Sequence, residues 1–384
     1  MPDTPTSMPN ARSKTKGEKP PLFVDLCCGA GGMSYGFVRA GWAPLLGVDN
    51  SKHSAETYEA NLNAAVASVD LSSPNAHISI RRSCGGSKPD AVIAGPPCQG
   101  FSRAGPRRIH DSRNDLLIAC ARIAVALKPK LVVIENVPNL ASLKYRPILE
   151  HAIRIVRGAG YAAEYCIVNA RNHGVAQNRP RLILVASRDA SRESISRALQ
   201  AIGKKRYKQK NVSAALAGLP VRGKRFDRNG IPNHTAMQHT RQVQKKIEKI
   251  RPGEGPLSYR KLHPRRVAGT LVCGHRALPC HYKAPRTITT REAARLQGFP
   301  DTFVFHGPRG NQMLQVANAV PPPTAAVVAR QVMSLLNNPG PKGSLSQRRG
   351  APHRQEHGQP ARTAPKSHAS RHGRRCRRNR GNGN

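Results

Sequence analysis

The stretch Ala91-Val92-Ile93-Ala94-Gly95-Pro96-Pro97-Cys98-Gln99-Gly100-Phe101-Ser102 decides how this chain is read. Its first four residues are apolar and few enough for a buried strand, which the glycine and two prolines then end. Cys98 therefore falls on the loop at a strand's carboxyl end, where open α/β sheets bind ligands. Two prolines in series fix φ and restrict the residues before them, so the thiol is presented with little backbone freedom. A thiol held this way is suited to attack an electrophile, and a structural cysteine in a tight turn is the plainer alternative.

Outward from this point, short apolar runs alternate with longer amphipathic ones. Residues 22–24 lead into a glycine turn and a helix over 33–40, and a strand over 45–48 precedes a helix over 54–62. Helices over 116–127 and 148–159 and strands over 131–134, 165–168 and 182–185 follow. The alternation predicts an α/β fold whose mostly parallel sheet is covered on both faces. Regularity fades after about residue 188. From there to 285 the chain is basic and rich in glycine and proline, which predicts a second, smaller domain of irregular or β structure. Helical patterns return at 292–298 and 324–336. The expected divisions are a disordered arm at 1–19, a sheet domain at 20–187, the smaller domain at 188–285, a return segment at 286–337 and a basic disordered tail at 338–384.

The net charge of +42 is regional. Residues 204–266 hold 18 Lys and Arg against three acids, and the tail after Gly340 holds 12 against Glu356 alone. A basic domain with a basic tail points to a polyanion, most commonly nucleic acid. Anionic membrane is the rival, but no apolar run approaches the ~20 residues a span needs, and no signal-peptide core lies near the start. The nine cysteines are odd in number and scattered. That fits reduced thiols in a cytoplasmic protein rather than a disulfide framework. Cys273, His275, Cys280 and His281 match no common zinc spacing, so no metal is expected.

Asp25-Leu26-Cys27-Cys28-Gly29-Ala30-Gly31-Gly32 joins the first strand to the first helix. Its glycines let the backbone approach a bound molecule closely. Asp49, ending the second strand, is placed to accept from ribose hydroxyls, and Asp70 could face an adenine edge. No phosphate-binding lysine follows the glycines, so a nucleoside without phosphates fits better than a nucleotide.

With these blocks in hand, the chain resembles the DNA (cytosine-5) methyltransferases across most of 21–335. The resemblance rests on DLCCGAGG at 25–32, GVD at 47–49, GPPCQGFS at 95–102, RND at 113–115, ENV at 135–137, HGVAQNRPR at 173–181, RTITTREAARLQGFPDTF at 286–303 and NQMLQVANAVPPP at 311–323. It implies a Rossmann-like methyltransferase sheet using S-adenosyl-L-methionine, with 20–187 the catalytic and cofactor-binding domain and 188–285 the target-recognition domain. Gly29, Gly31 and Gly32 would line the cofactor's methionine end, Asp49 its ribose and Asp70 its adenine. Asp25, Pro96, Asn318 and Val320 would complete the cofactor's wall. Cys98 would be the nucleophile, Glu135 the carboxyl at the target base, and Arg179 and Arg181 the arginines beside it.

Two positions depart from the family pattern: Cys27 stands where a phenylalanine is usual, and Ala317 replaces a common glycine. The resemblance further implies double-stranded DNA as partner, a cytosine flipped out of the stack, and a monomer in the cytoplasm, associated with the nucleoid. It also suggests a restriction-modification setting with a separately encoded endonuclease. The competing readings are an RNA (tRNA) cytosine-5 methyltransferase on the same scaffold and a non-catalytic nucleic-acid-binding relative.

Overall fold

Runs such as Ala91-Val92-Ile93-Ala94 are apolar at every position because the strands they form are covered on both faces. The computed structural model describes residues 19–97, 115–221, 230–256, 259–272 and 278–337. Among them β1 (Leu22–Leu26), β2 (Ala43–Val48), β3 (Val66–Ala67), β4 (Ala91–Ala94), β5 (Leu131–Asn136), β6 (Ala162–Asn169) and β7 (Pro180–Ser187) form one sheet. Its order is β3-β2-β1-β4-β5-β7-β6. The first five strands run parallel, and β7 pairs antiparallel with both β5 and β6. The expected mostly parallel α/β sheet is therefore present, with an antiparallel pair at one edge.

Strand pleating sorts the side chains into two cores. Val24, Leu26, Val92 and Ile134 point to one face. There they meet α3 (Ala76–Ser83), α4 (Asp115–Leu127) and α5 (Arg146–Gly158). Leu149, Ala152, Ile153 and Val156 recur at helical spacing and give α5 its apolar stripe. Phe23, Ile93, Val133 and Val185 point the other way. That face is covered by α1 (Gly32–Arg39), α6 (Arg192–Lys204) and α11 (Pro322–Asn337). Each Leu or Ile buried in these layers stabilises the fold by about 1.5–3 kcal/mol.

The helix α6 falls where the sequence reading saw regularity fade. Its stripe is nevertheless clear, with Ile195, Ala198, Leu199 and Ile202 buried and Ser191 capping the first turn. The short apolar residues are diluted by charges on the exposed side, which hides the period from a composition-based reading.

A third core joins distant parts of the chain. Val212 and Leu216, around α7 (Val212–Ala215), pack with Leu262, Ala268 and Leu271, and also with Ile288, Phe299, Phe303 and Phe305. The last group surrounds α9 (Thr290–Gln297) and reaches α10 (Arg309–Asn318). Thr289 and Glu292 cap α9 reciprocally, and Arg286 holds Glu292 with two hydrogen bonds. One further helix, α8 (Arg241–Glu248), lies between these parts of the chain. Among the described residues 205–285 contain helices and isolated bridges but no strand. No helix among the described residues is long and apolar enough to cross a membrane. Cys98, Cys273, His275, the tail at 338–384 and all but residue 19 of the expected arm lie outside the described residues.

Candidate active site at the carboxyl ends of the strands

Strand order reverses at β1, whose neighbours are β2 on one side and β4 on the other. Loops leaving β1 and β4 must diverge there, which opens a crevice at their carboxyl ends. A cavity of about 1020 Å³ occupies this position. Its wall includes Asp25, Gly29, Gly32, Asp49, Asp70, Pro96, Glu135, Arg179, Arg181, Asn318 and Val320. Sequence reasoning thus named eleven residues that the fold brings together from seven separate places in the chain.

The glycine turn is shaped by backbone conformation. Gly29 and Gly31 have φ of +53° and +85°, values that side-chain-bearing residues rarely adopt. A Cβ on Gly29 would meet nothing within 4 Å, so that face is open. Gly31 does not line the cavity. A Cβ there would lie 2.5 Å from Leu62 and 2.8 Å from Tyr58 of α2 (Lys52–Leu62), so its role is packing and turning. At Gly32 a Cβ would sit 2.5 Å from the Val320 carbonyl oxygen, which shows how closely the segment before α11 lies on the start of α1.

Asp49 ties two elements together. Its carboxylate accepts from the Gly29 amide and from the Ser51 amide, each at 2.9 Å. Each oxygen keeps a further lone pair for a ligand hydroxyl. Asp70 is exposed and accepts from the Ser72 amide and hydroxyl, bonds that hold its carboxyl below the usual value. Asp25 is buried and accepts from the Ser34 hydroxyl at 2.5 Å. Burial carries its carboxyl up to about 8, opposed by the Ser34 bond and aided by the nearby Asp49.

Cys27, at the position of the usual phenylalanine, has φ +56° and directs its thiol toward Cys120 on α4, Sγ to Sγ 3.9 Å. The Cys120 contact and burial push the Cys27 thiol well above its ordinary range. Such a thiol is inert rather than nucleophilic.

Across the crevice, the end of β5 supplies Glu135 and Asn136. The Asn136 amide donates to the Pro96 carbonyl at 3.3 Å and steadies the proline loop. Arg181 of β7 pairs through Nε with Glu135 Oε1 at 2.6 Å, and both side chains are 10 % exposed. Burial raises the Glu135 carboxyl above its ordinary value despite the pull of Arg181 and Arg179.

Arg179, expected beside the base, lines the same cavity and acts on the Glu135 carboxyl. Its guanidinium donates to the carbonyls of Leu271 at 3.1 Å, Ala317 at 2.6 Å and Ala319 at 3.0 Å. Those bonds tie together two backbone segments, around 271 and 317–319, because a planar fork of donors spans what one ammonium could not.

Pro97 lines the cavity, and Cys98 follows it in the chain outside the described residues. Sequence reasoning missed Asn136 and the wall made by Thr270, Leu271 and Val272. That wall forms because residues 268–270 lie along 176–178. Ala268 N donates to Ala176 O, Asn178 N to Ala268 O, and Thr270 Oγ1 to Asn178 O. Pairing across about ninety residues leaves no local signal.

The sequence model of the C-5 cytosine-specific DNA methylase family matches residues 22–334. Type II methyltransferase M.XorII of Xanthomonas oryzae pv. oryzae is 31% identical over 377 aligned residues, covering 84% of this chain and 87% of that protein. Type II methyltransferase M1.HphI of Haemophilus parahaemolyticus is 32% identical, covering 82% and 87%. A crystal structure described as a candidate DNA modification methyltransferase encoded within a prophage (E. coli) superposes with a TM-score of 0.70. It is 29% identical and covers 83% of this chain and all of that one. The S. pombe Dnmt2 methyltransferase, 16% identical with a TM-score of 0.58, shares the fold.

Proposed function

The chain belongs to the C-5 cytosine-specific DNA methylase family and is a DNA (cytosine-5) methyltransferase; from that premise we propose how its residues divide the work. The cavity is the S-adenosyl-L-methionine site. The fit is supported by the open face of Gly29, the Asp49 carboxylate at the end of β2 and a volume that admits both a nucleoside and a base. When bound, S-adenosyl-L-methionine supplies an electrophilic methyl group.

Cys98 adds as a thiolate to carbon-6 of a cytosine flipped from the duplex, which makes carbon-5 nucleophilic. Negative charge builds on the ring during that attack. Glu135 relieves it from the ring-nitrogen side, and its raised carboxyl suits it to hold a proton there. Arg181 holds Glu135 in place and donates to the developing charge in a site screened from water. Arg179 acts at one remove, by fixing Leu271, Ala317 and Ala319 around the site. Once carbon-5 carries the methyl group, the broken bond's electron pair staying on the donor's sulfur, loss of the carbon-5 proton to a base restores the 5,6 double bond and expels Cys98.

The observation that carries this reading is the buried Glu135–Arg181 pair facing the same cavity as the glycine turn and Pro97. We further assign 20–187 to the catalytic and cofactor-binding domain, completed by the return segment 286–337, and 188–285, whose first helix α6 packs on the sheet, to the target-recognition domain. The latter assignment brings the basic stretch against duplex DNA, where its lysines and arginines would contact phosphates. We also read the enzyme as a monomer in the cytoplasm at the nucleoid, and the Type II designation of its relatives is in line with a separately encoded endonuclease.

Transfer of labelled methyl from S-adenosyl-L-methionine to duplex DNA, with tRNA alongside, tests the substrate. Labelling of tRNA alone would overturn the division of roles. Cys98→Ser is expected to abolish both turnover and covalent trapping on 5-fluorocytosine DNA, and a variant that still methylates refutes the thiolate scheme.

A further inference from the structure

The floor of the cavity carries an acid that the reaction scheme leaves without a task. Asp25, one residue before the end of β1 and beneath the glycine turn, is 1 % exposed and belongs to the cavity wall. Ser34 on α1 donates to it and also bonds the Tyr58 hydroxyl of α2 at 2.9 Å, so the carboxyl is fixed on that side. The titratable groups that face it are Asp49 at the end of β2, the thiols of Cys27 and Cys28 in the turn, and the Tyr58 phenol. Every one is neutral or negative. Among the described residues Asp25 makes no ion pair, and the charge acting on it is another carboxylate. A buried acid kept near a second acid, with a cavity in place of a counter-ion, is arranged to meet a cation from outside.

We propose that Asp25 is the group by which the pocket distinguishes the positively charged methyl donor from the neutral sulfide product: its carboxylate forms against the donor's sulfonium and regains a proton once the methyl group has gone. This rests on reading the cavity as the S-adenosyl-L-methionine site. Two consequences follow from linkage. Donor binding releases a proton that product binding does not. Donor affinity relative to product rises with pH, by at most about tenfold per unit, and levels off above the value of about 8 at which the empty pocket's carboxyl ionises by itself. Donor therefore displaces product most effectively above that pH, and product competes more strongly below it, where the proton on Asp25 removes the attraction for the donor alone.

Calorimetric titration of the full chain tests this, using S-adenosyl-L-methionine and S-adenosyl-L-homocysteine from about pH 6 to 9 in two buffers of different ionisation enthalpy. Wild type should release more protons on binding the donor and show the rising affinity ratio. Asp25→Asn should bind both nucleosides with a flattened ratio, and comparing it with wild type cancels titration of the ligands' own amino groups. Ser34→Ala should move the inflection upward, because the Ser34 bond holds the carboxyl down. Equal proton release for the two ligands, an unchanged slope in Asp25→Asn, or an unmoved inflection in Ser34→Ala overturns the proposal. If Asp25→Asn fails to fold, the wild-type and Ser34→Ala titrations decide alone. Absence of binding by either nucleoside would instead remove the cofactor reading itself.

Discussion

Replacing Arg181 by Met keeps much of the side-chain length and deletes its charge, and the surroundings of Glu135 set the result. The two groups are 2.6 Å apart and 10 % exposed. Removing one member of a buried pair costs ~3–5 kcal/mol when the other must remain charged. Glu135 has an escape, since burial already holds its carboxyl above the ordinary value while Arg181 pulls it down. Without Arg181 the carboxyl rises further, and the folded protein keeps a proton that the unfolded chain gives up.

A folded-state value above the unfolded one contributes stability that is present at low pH and is lost as pH climbs toward the folded value. The loss is about 1.4 kcal/mol per pH unit and ends when the folded carboxyl ionises. R181M should therefore lie within about 1 kcal/mol of wild type near pH 5.5 and ~3–5 kcal/mol below it near pH 8.5. At ~2 °C per kcal/mol for a chain of this size, the gap in Tm opens from ~2 °C to ~6–10 °C. Thermal melts followed by circular dichroism at the two pH values read it directly. In an E135Q background the gap should no longer widen with pH. A gap that is the same at both pH values, or that widens equally with Gln at 135, refutes the pairing argument. Methyl transfer by R181M should fall ~10²–10³-fold at either pH, as expected for loss of a donor aimed at developing charge.

Arg179→Lys should cost ~2–4 kcal/mol, because one ammonium replaces a fork that serves the carbonyls of Leu271, Ala317 and Ala319. Its signature is a raised KM for DNA and cofactor together, and a variant altered in kcat alone would place the residue at the base after all. Gly32→Ala introduces a Cβ 2.5 Å from the Val320 carbonyl oxygen and forces the return segment off α1. Cofactor affinity measured by equilibrium dialysis should drop tenfold or more, and unchanged affinity would show that this contact can relax.

Parallel strands were legible because burial on both faces leaves near-continuous apolar runs, as in 91–94 and 131–134. The direction of β7 was not, since an antiparallel partner buried on both faces reads the same way. Asp49 could be placed because a turn follows the apolar run of β2 and fixes the end of the strand, whereas Glu135 was named only through the ENV block of the resemblance. The contacts of Arg179 and Gly31 could not be read from the sequence for one shared reason. Both belong to motifs around the cavity, yet what each touches is decided by a remote segment: Ala317 and Ala319 for the arginine, Tyr58 and Leu62 for the glycine. The third core was illegible for the same cause, as Leu216 and Phe303 meet only after the chain has closed on itself.

The indole of Trp42 donates to the carbonyl of Ala329, 287 residues later, and α11 covers the face of the sheet that α1 begins to cover. During translation, then, the first half of the sheet emerges with one apolar side bare and the glycine turn lacking its Val320 neighbour. No partially synthesised chain can carry a finished pocket. Methyl transfer must wait until α11 has been made, and until then an apolar face of the sheet stays uncovered.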